Sequence, residues 1–224
     1  MRTRVKICCI SSLSEAKLAI QQGADALGLV GAMPSGPGPI ADDLIAQIVK
    51  TNPPPLASFL LTSETTAEGI ISHLNRTAAN TIQIVDDTVS ADVRRAVRRA
   101  LPMVKIVQVV HVLSEKTIEK ALEMAQTADA LLLDSGNPAA RELGGTGRTH
   151  NWILSRKIVE QSPVPVFLAG GLRPENVRAA IEAVAPFGVD LCSGVRSVQM
   201  DSDGIGKGSL DARKLAAFFE AIYH

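Results

Sequence analysis

The sequence has few aromatic residues and no excess charge of either sign. Phe, Trp and Tyr make up 3% of its 224 residues, and 23 basic side chains balance 23 acidic ones. Proteins that bind single-stranded nucleic acid stack bases on aromatic rings, and nucleic acids and anionic membranes both attract basic surfaces. The composition therefore predicts no nucleic-acid and no membrane partner, and it leaves room for a local phosphate site.

Long apolar runs and a disulfide framework are missing as well. No stretch approaches the roughly 18 to 20 apolar residues that cross a bilayer, because polar residues at positions 12, 14 and 15 interrupt the apolar segment near the N-terminus. The cysteines are Cys8, Cys9 and Cys192, an odd number with two of them adjacent. This pattern indicates reduced thiols, and we expect a cytoplasmic protein that is mature as written.

The chain does contain a repeated alternation of short apolar runs with segments of helical period. Eight runs rich in Val, Ile and Leu occupy residues 4–10, 25–30, 55–61, 81–85, 104–112, 130–133, 164–168 and 187–191. They are almost continuously apolar, as strands buried on both faces should be. Eight βα units can close without a free sheet edge, so we predict a single α/β domain over residues 1–224, a (β/α)8 TIM barrel with a parallel eight-stranded closed sheet. The alternative is an open doubly wound sheet.

Functional groups of such a barrel lie at the carboxyl ends of its strands. Cys8 and Cys9 end the first run, and because side chains alternate along a strand, we expect only one of them to face the barrel interior. Asp134 closes the sixth run, where partial burial would raise its pKa. A thiol facing this carboxyl group could move protons between adjacent atoms of one substrate. The alternatives are an apolar filler for the cysteine and a helix cap or turn for the aspartate.

Three glycine clusters occupy the last third of the chain, at residues 144–147, 169–172 and 193–195. Glycine lets backbone N–H groups converge on an anion, and the loops after strands seven and eight are the usual phosphate site of the fold. The second and third clusters follow those two strands directly. We therefore expect them to bind a phosphate group.

The remaining polar candidates favour structural roles. The four arginines at positions 94, 95, 98 and 99 share one helix and are typical of a solvated face. His111 and His150 are expected to be structural, and Asp86 and Asp87 fit a turn better than a metal site. The sequence has no HExxH, CxxC, Walker A or GxGxxG pattern, so it predicts neither a metal nor a cofactor.

Together these motifs resemble the phosphoribosylanthranilate isomerase family of tryptophan biosynthesis. The similar segments are residues 5–8, 23–29, 132–135, 144–149 with Trp152, 168–172, 174–177 and 193–195. The resemblance implies a (β/α)8 barrel that converts N-(5'-phosphoribosyl)anthranilate into 1-(o-carboxyphenylamino)-1-deoxyribulose 5-phosphate by a cofactor-independent Amadori rearrangement. It also implies a phosphosugar as the small-molecule partner, and it fits a monomer or a homodimer.

The resemblance also implies roles for single residues. Cys8 falls on the family's general base, which removes the C2' proton of the sugar, and Asp134 falls on its general acid, which protonates the ring oxygen. The positions that fall on the phosphate loops are Gly145, Gly147, Gly170, Gly171, Ser193 and Gly194.

The chain departs from the family's pattern at four places. Cys9 stands where the family has Gly, and the loop at residues 31–39 lacks the Arg that serves the anthranilate end. Residues 83–86 read Gln-Ile-Val-Asp where the family has Gln-Leu-His-Gly, which we interpret as an imidazole exchanged for the carboxylate of Asp86. The last phosphate loop ends in Arg196 where the family has Glu.

These departures leave the identity of the substrate's aglycone open. We expect Arg196 or Arg148 to supply the missing positive charge, which makes Arg196 a candidate substrate-binding residue. One alternative is a paralogous isomerase that acts on another phosphorylated amino sugar. The other is a non-catalytic barrel that binds a phosphate ligand.

Overall fold

The computed structural model describes residues 2–34, 36, 38–135, 151–197 and 208–223. Within this part of the chain the eight predicted strands form a closed parallel barrel in which β8 pairs with β1. The strands are β1 Arg4–Ile7, β2 Ala26–Val30, β3 Ala57–Thr62, β4 Thr81–Ile84, β5 Lys105–His111, β6 Ala130–Asp134, β7 Val166–Leu168 and β8 Gly188–Leu191. The predicted barrel is confirmed, and the open doubly wound sheet is excluded.

A helix follows each strand on the outside of the barrel. The helices are α1 Leu13–Gln21, α2 Asp42–Thr51, α3 Ala67–Thr77, α4 Ala91–Ala100, α5 Lys116–Ala125, α6 Trp152–Gln161, α7 Val177–Val184 and α8 Ala212–Tyr223. The first begins where Ser12 accepts a hydrogen bond from the Glu15 N–H at 3.2 Å, as an N-cap should. No described helix is long and apolar enough to cross a membrane.

Side chains along each strand alternate between two apolar clusters. One set packs outward against the helices, for example Ile7 and Leu133. The other set faces the barrel axis, for example Phe59, Val109 and Leu132. Because both faces of the sheet are buried, each strand needs an almost unbroken apolar sequence.

One of the four arginines of helix α4 contradicts the expectation of a solvated face, whereas Arg95 and Arg99 are exposed. Arg94 is buried, and its guanidinium donates to Gln108 Oε1 at 3.0 Å, to the Val89 carbonyl oxygen at 2.7 Å and to Thr127 Oγ1 at 2.7 Å. The side chain therefore joins α4 to β5 and the end of α5. It belongs to the packing between helix and barrel.

The amino ends of the strands surround a cavity of about 510 Å³. Its apolar wall includes Phe59, Phe167 and Phe187. The Phe167 ring stands edge-on to the other two, with centroid separations of 5.8 Å and 5.4 Å. This end of a (β/α)8 barrel contributes stability, whereas chemistry belongs to the opposite end.

Candidate active site

Cys8 directly follows β1 and lies among the residues that face the barrel axis, with 6% of its surface exposed. The space for its thiol is provided by Gly28 on the neighbouring strand β2. A Cβ atom at Gly28 would lie 2.7 Å from Cys8 Sγ and 3.0 Å from Lys6 Nζ. The thiol and the ammonium group therefore border the same gap, which only a glycine leaves open.

Lys6 and Asp190 form a buried ion pair inside the barrel, with Nζ 2.8 Å from Oδ1. Burial by itself lowers the pKa of Lys6, but Asp190 and the nearby Cys8 outweigh it and hold the pKa above its usual value. The ammonium is thus a permanent positive charge beside Cys8. Neither member of this pair is marked in the sequence, because each lies within an apolar run.

Cys9 contradicts the prediction that only one of the adjacent cysteines faces the interior. It belongs to the same apolar cluster as Cys8 and is equally buried. Strand geometry ends at Ile7, and Cys9 has a φ of 61° in the left-handed region, so the alternation of side chains no longer holds. A positive φ favours glycine, which is the residue that the phosphoribosylanthranilate isomerase pattern has at this position.

The thiol of Cys9 is poorly suited to act as a base. Hydrogen bonds with Cys192 and Cys8, together with burial, raise the pKa of Cys9 well above its usual value. Cys9 therefore stays protonated while it packs beside the other two thiols. Of the two adjacent cysteines, Cys8 is the one whose thiol borders the gap beside Lys6. The hydrogen bond with Cys9 and the Arg196 guanidinium hold the pKa of Cys192 below its usual value.

Asp134 is the last residue of β6 and is 9% exposed. Burial raises its pKa, as predicted, although the Ser135 N–H donates to its Oδ1 at 2.7 Å and the imidazole of His111 acts in the opposite direction. A carboxyl group with a raised pKa keeps its proton to higher pH and can serve as a general acid. The site thus contains an acid on β6 and a thiol at the end of β1.

His111 ends β5 and is the register partner of Asp134 on β6. Its side chain is 2% exposed, and neither ring nitrogen has a hydrogen-bond partner among the described residues. The expectation of a structural histidine does not account for two unpaired buried nitrogens.

The loops after β7 and β8 meet backbone to backbone between the acid and the thiol. Gly170 and Gly171 have φ values of 88° and 62°, which favour glycine. A Cβ atom at Gly194 would lie 2.0 Å from the Leu172 carbonyl oxygen, so the close approach of the two loops requires a glycine there as well.

These loops offer donors for an anion. Among the described residues, no acceptor is bound by the backbone N–H groups of Gly170, Gly171 and Ser193. Successive free N–H groups near the start of a helix form a concave site for phosphate. The other two predicted phosphate residues, Gly145 and Gly147, lie outside the described residues, as does Arg148.

Arg196 forms a buried ion pair with Glu15 at the start of α1. Each terminal guanidinium nitrogen lies 3.1 Å from one carboxylate oxygen, and these nitrogens also donate to the carbonyl oxygens of Gly208, at 2.9 Å, and Cys9. Both terminal nitrogens therefore have partners within the protein. A contact between Arg196 and the substrate stays a prediction.

The end of β4 requires a correction. Aligned residue by residue, the family's His falls on Val85, which lies in the interior apolar cluster. Asp86 instead accepts hydrogen bonds from the N–H and Oγ1 of Thr88 at 2.8 Å and 2.6 Å, and Asp87 pairs with Lys120 at 2.8 Å. The two aspartates form the expected turn. Within the described ranges no group of three or more His, Cys, Asp or Glu side chains is placed to hold a metal ion.

A family model and the sequence relatives of this chain indicate the same protein family. The family model for N-(5'-phosphoribosyl)anthranilate (PRA) isomerase matches residues 5–221. N-(5'-phosphoribosyl)anthranilate isomerase 2 of Methanosarcina mazei is 37% identical over 202 residues, covering 90% of this chain and 87% of the relative. The isomerase of Methanocella arvoryzae is 34% identical over 201 residues, covering 90% and 92%.

Solved structures agree with the sequence relatives. The crystal structure of phosphoribosyl anthranilate isomerase from Thermus thermophilus superposes with a TM-score of 0.80 at 26% identity and covers 98% of both chains. A complex of such an isomerase with reduced 1-(o-carboxyphenylamino)-1-deoxyribulose 5-phosphate gives a TM-score of 0.77 at 26% identity, again over 98% of both chains. The chain therefore belongs to the N-(5'-phosphoribosyl)anthranilate isomerase family.

Proposed function

We propose that the protein catalyses the Amadori rearrangement of N-(5'-phosphoribosyl)anthranilate to 1-(o-carboxyphenylamino)-1-deoxyribulose 5-phosphate. The observation that carries this proposal is a buried carboxyl group on β6 and a buried thiol after β1. They lie on either side of two loops whose N–H groups bind no acceptor in the part of the chain that the structure describes. An acid, a base and an anion site are the groups that this reaction needs. We further propose that the chain forms one barrel domain that acts in the cytoplasm as a monomer or a homodimer.

In the first step Asp134 donates its proton to the ring oxygen of the ribose. The C1'–O bond breaks, and the nitrogen lone pair forms a C=N bond, which gives an open-chain iminium ion. The raised pKa of Asp134 keeps the proton available for this transfer. The carboxylate that forms accepts the hydrogen bond from the Ser135 N–H.

In the second step Cys8 removes the proton from C2'. The iminium group acidifies this carbon, so the electron pair of the C–H bond moves towards nitrogen and an enolamine forms. Protonation of C1' and loss of the proton from the C2' hydroxyl group then give the ketone. A modest base suffices because the iminium carries the charge. The Lys6 ammonium, paired with Asp190, borders the same gap as the thiol.

The phosphate group anchors the substrate between the two catalytic residues. The backbone N–H groups of Gly170, Gly171, Ser193 and Gly194 would hold the phosphate, and the three glycines have no side chain that would block a close approach. Anchoring one end of the sugar fixes the reacting carbons relative to acid and base, and such positioning contributes strongly to rate.

The test is turnover of N-(5'-phosphoribosyl)anthranilate, made in situ from anthranilate and phosphoribosyl pyrophosphate and followed by the loss of its fluorescence. We expect the purified protein to accelerate this loss and to yield the aminoketose. If the folded protein gives no turnover above background, the proposed substrate is wrong.

A second candidate is a paralogous isomerase with a different aglycone. It is favoured by the loop at residues 31–39, which has no Arg or Lys and whose Met33 packs against the interior cluster. A set of phosphorylated aminoaldoses with uncharged aglycones distinguishes the two candidates. The paralogue would turn over one of these and ignore the anthranilate compound.

A further inference from the structure

His111 carries a buried polar group that the two proton transfers leave unused. Val107 and Val109 of β5 face the barrel axis, and the strand period of two places His111 on the same face at the carboxyl end. Its Nδ1 and Nε2 have no partner among the described residues. An unpaired buried imidazole is destabilising, so this position fits a partner that arrives with the substrate.

Asp134 indicates which part of the substrate comes closest to His111. The ring oxygen that Asp134 protonates is bonded to C4', on the phosphate side, and to C1', which carries the aglycone. The phosphate loops follow β7 and β8, whereas His111 lies on β5, on the opposite side of Asp134. The aglycone is therefore directed towards β5. Its carboxylate is ortho to the nitrogen on C1' and so remains near this atom.

The carboxylate needs a hydrogen-bond donor, and two cations that the described residues place near the mouth, Arg196 and Lys6, are already paired within the protein. The loop at residues 31–39 contains no Arg or Lys. Arg196 is paired with Glu15 and Lys6 with Asp190. Among the described residues the buried N–H donors without a partner are the His111 imidazole, Arg196 Nε and Trp152 Nε1, and of these three His111 is the one on a barrel strand, beside Asp134.

We propose that His111 is a specificity-determining residue whose imidazole N–H donates a hydrogen bond to the carboxylate of the anthranilate group. This inference rests on the proposed function, because it assigns a residue to one end of the proposed substrate. It also explains how this chain dispenses with a cation in the loop at residues 31–39.

Two inhibitors test the proposal: reduced 1-(o-carboxyphenylamino)-1-deoxyribulose 5-phosphate and its counterpart without the carboxylate. We expect the wild type to bind the first more tightly by about ten- to a hundredfold, the range of a hydrogen bond to a charged group. In His111→Leu the ratio should fall close to one through weaker binding of the carboxylated inhibitor alone. His111→Gln, which keeps an N–H donor, should retain part of the ratio.

The matched control is Val110→Ala, which changes the neighbouring, outward-facing position of the same strand. It should keep the wild-type ratio, because a structural disturbance of β5 affects both inhibitors equally. An unchanged ratio in folded His111→Leu, with a wild type that turns over the anthranilate substrate, would overturn the role of His111 alone. A wild type without turnover would overturn the proposed function and this inference together.

Discussion

Gly28 decides whether the thiol of Cys8 and the ammonium of Lys6 can lie side by side. A methyl group at this position would meet Cys8 Sγ, Cys8 Cα and Lys6 Nζ at 2.7 Å, 2.9 Å and 3.0 Å. One of these contacts is to the backbone, so side-chain rotation alone cannot relieve the overlap. The position of the proposed base, Cys8, therefore depends on the absence of a side chain at residue 28.

We predict that Gly28→Ala lowers kcat by about a hundredfold, since a displacement of the order of 1 Å is enough for such a loss. Unfolding free energy should fall by about 1 to 3 kcal/mol. Gly69→Ala is the control for adding a methyl group at a glycine. Its methyl group would meet the carboxylate end of the exposed Glu64 side chain, which can move away, so kcat should not change. Steady-state kinetics and urea unfolding measure both effects. A Gly28→Ala protein with wild-type kcat would contradict the placement of Cys8.

Single residues were predictable from sequence where they end an apolar run. Cys8 and Asp134 do so, and the strand order then places both at one end of the barrel. Lys6 and Asp190 lie within apolar runs, and only the register of β1 with β8 shows that they pair. His111 shows the other limit, because a sequence cannot reveal that a buried imidazole lacks a partner among the residues that the structure describes.

Among the structural elements, α1 is joined through Glu15 to the residue before its N-cap and to the segments that precede α8. Its carboxylate accepts from the N–H groups of Ser11 and Leu210 at 2.9 Å and 2.8 Å, in addition to the ion pair with Arg196. Burial alone would raise the pKa of Glu15, but these donors outweigh it and hold the pKa below its usual value of 4.5. Ionised Glu15 therefore stabilises the fold.

We predict that Glu15→Gln lowers the free energy of unfolding by about 2 to 3 kcal/mol at pH 7. A depressed carboxyl pKa gives stability that is present above the unfolded value and is lost as the pH falls through the folded value. The difference between wild type and variant should therefore shrink below pH 4.5. Urea unfolding at pH 7 and at lower pH measures it, with the exposed Glu160→Gln as control. A difference that stays constant with pH would contradict the ion pair.

The elements themselves were well predicted because buried strands need continuous apolar sequence. Their ends were less predictable. The first run suggested a strand to residue 10, but β1 stops at Ile7 because Cys9 adopts a positive φ that no propensity indicates for cysteine. Arg94 was misjudged for a related reason, since helical spacing alone does not show that Gln108 lies within reach of its guanidinium.

The whole barrel has two ends with different tasks. The carboxyl end holds Cys8, Asp134 and the glycine loops, whereas the amino end holds the cavity lined by three phenylalanine rings. The closed topology was predictable from the number of βα units, because eight parallel strands can remove both sheet edges. The cavity was not predictable, since it depends on how the rings pack.

We predict that Phe187→Ala, at the amino end, lowers the unfolding free energy by about 2 to 3 kcal/mol. The kcat/KM value should stay within about twofold of the wild type, because the substitution leaves the residues at the carboxyl ends of the strands, where the active site lies, unchanged. Chemical unfolding and kinetics well below the melting temperature separate the two effects. A parallel loss of kcat/KM in the folded variant would show that the two ends are not independent.

The most direct test of the account compares kcat of the wild type with that of Cys8→Ser and Asp134→Asn on N-(5'-phosphoribosyl)anthranilate. The matched controls are Cys192→Ser and Asp86→Asn, which change a neighbouring thiol and a rim carboxylate bound to its own turn. We predict a loss of about a hundredfold or more in each catalytic variant, the usual contribution of a general acid or base, and nearly unchanged turnover in the controls. Turnover that survives in either folded catalytic variant would contradict the assignment of Cys8 and Asp134 as base and acid.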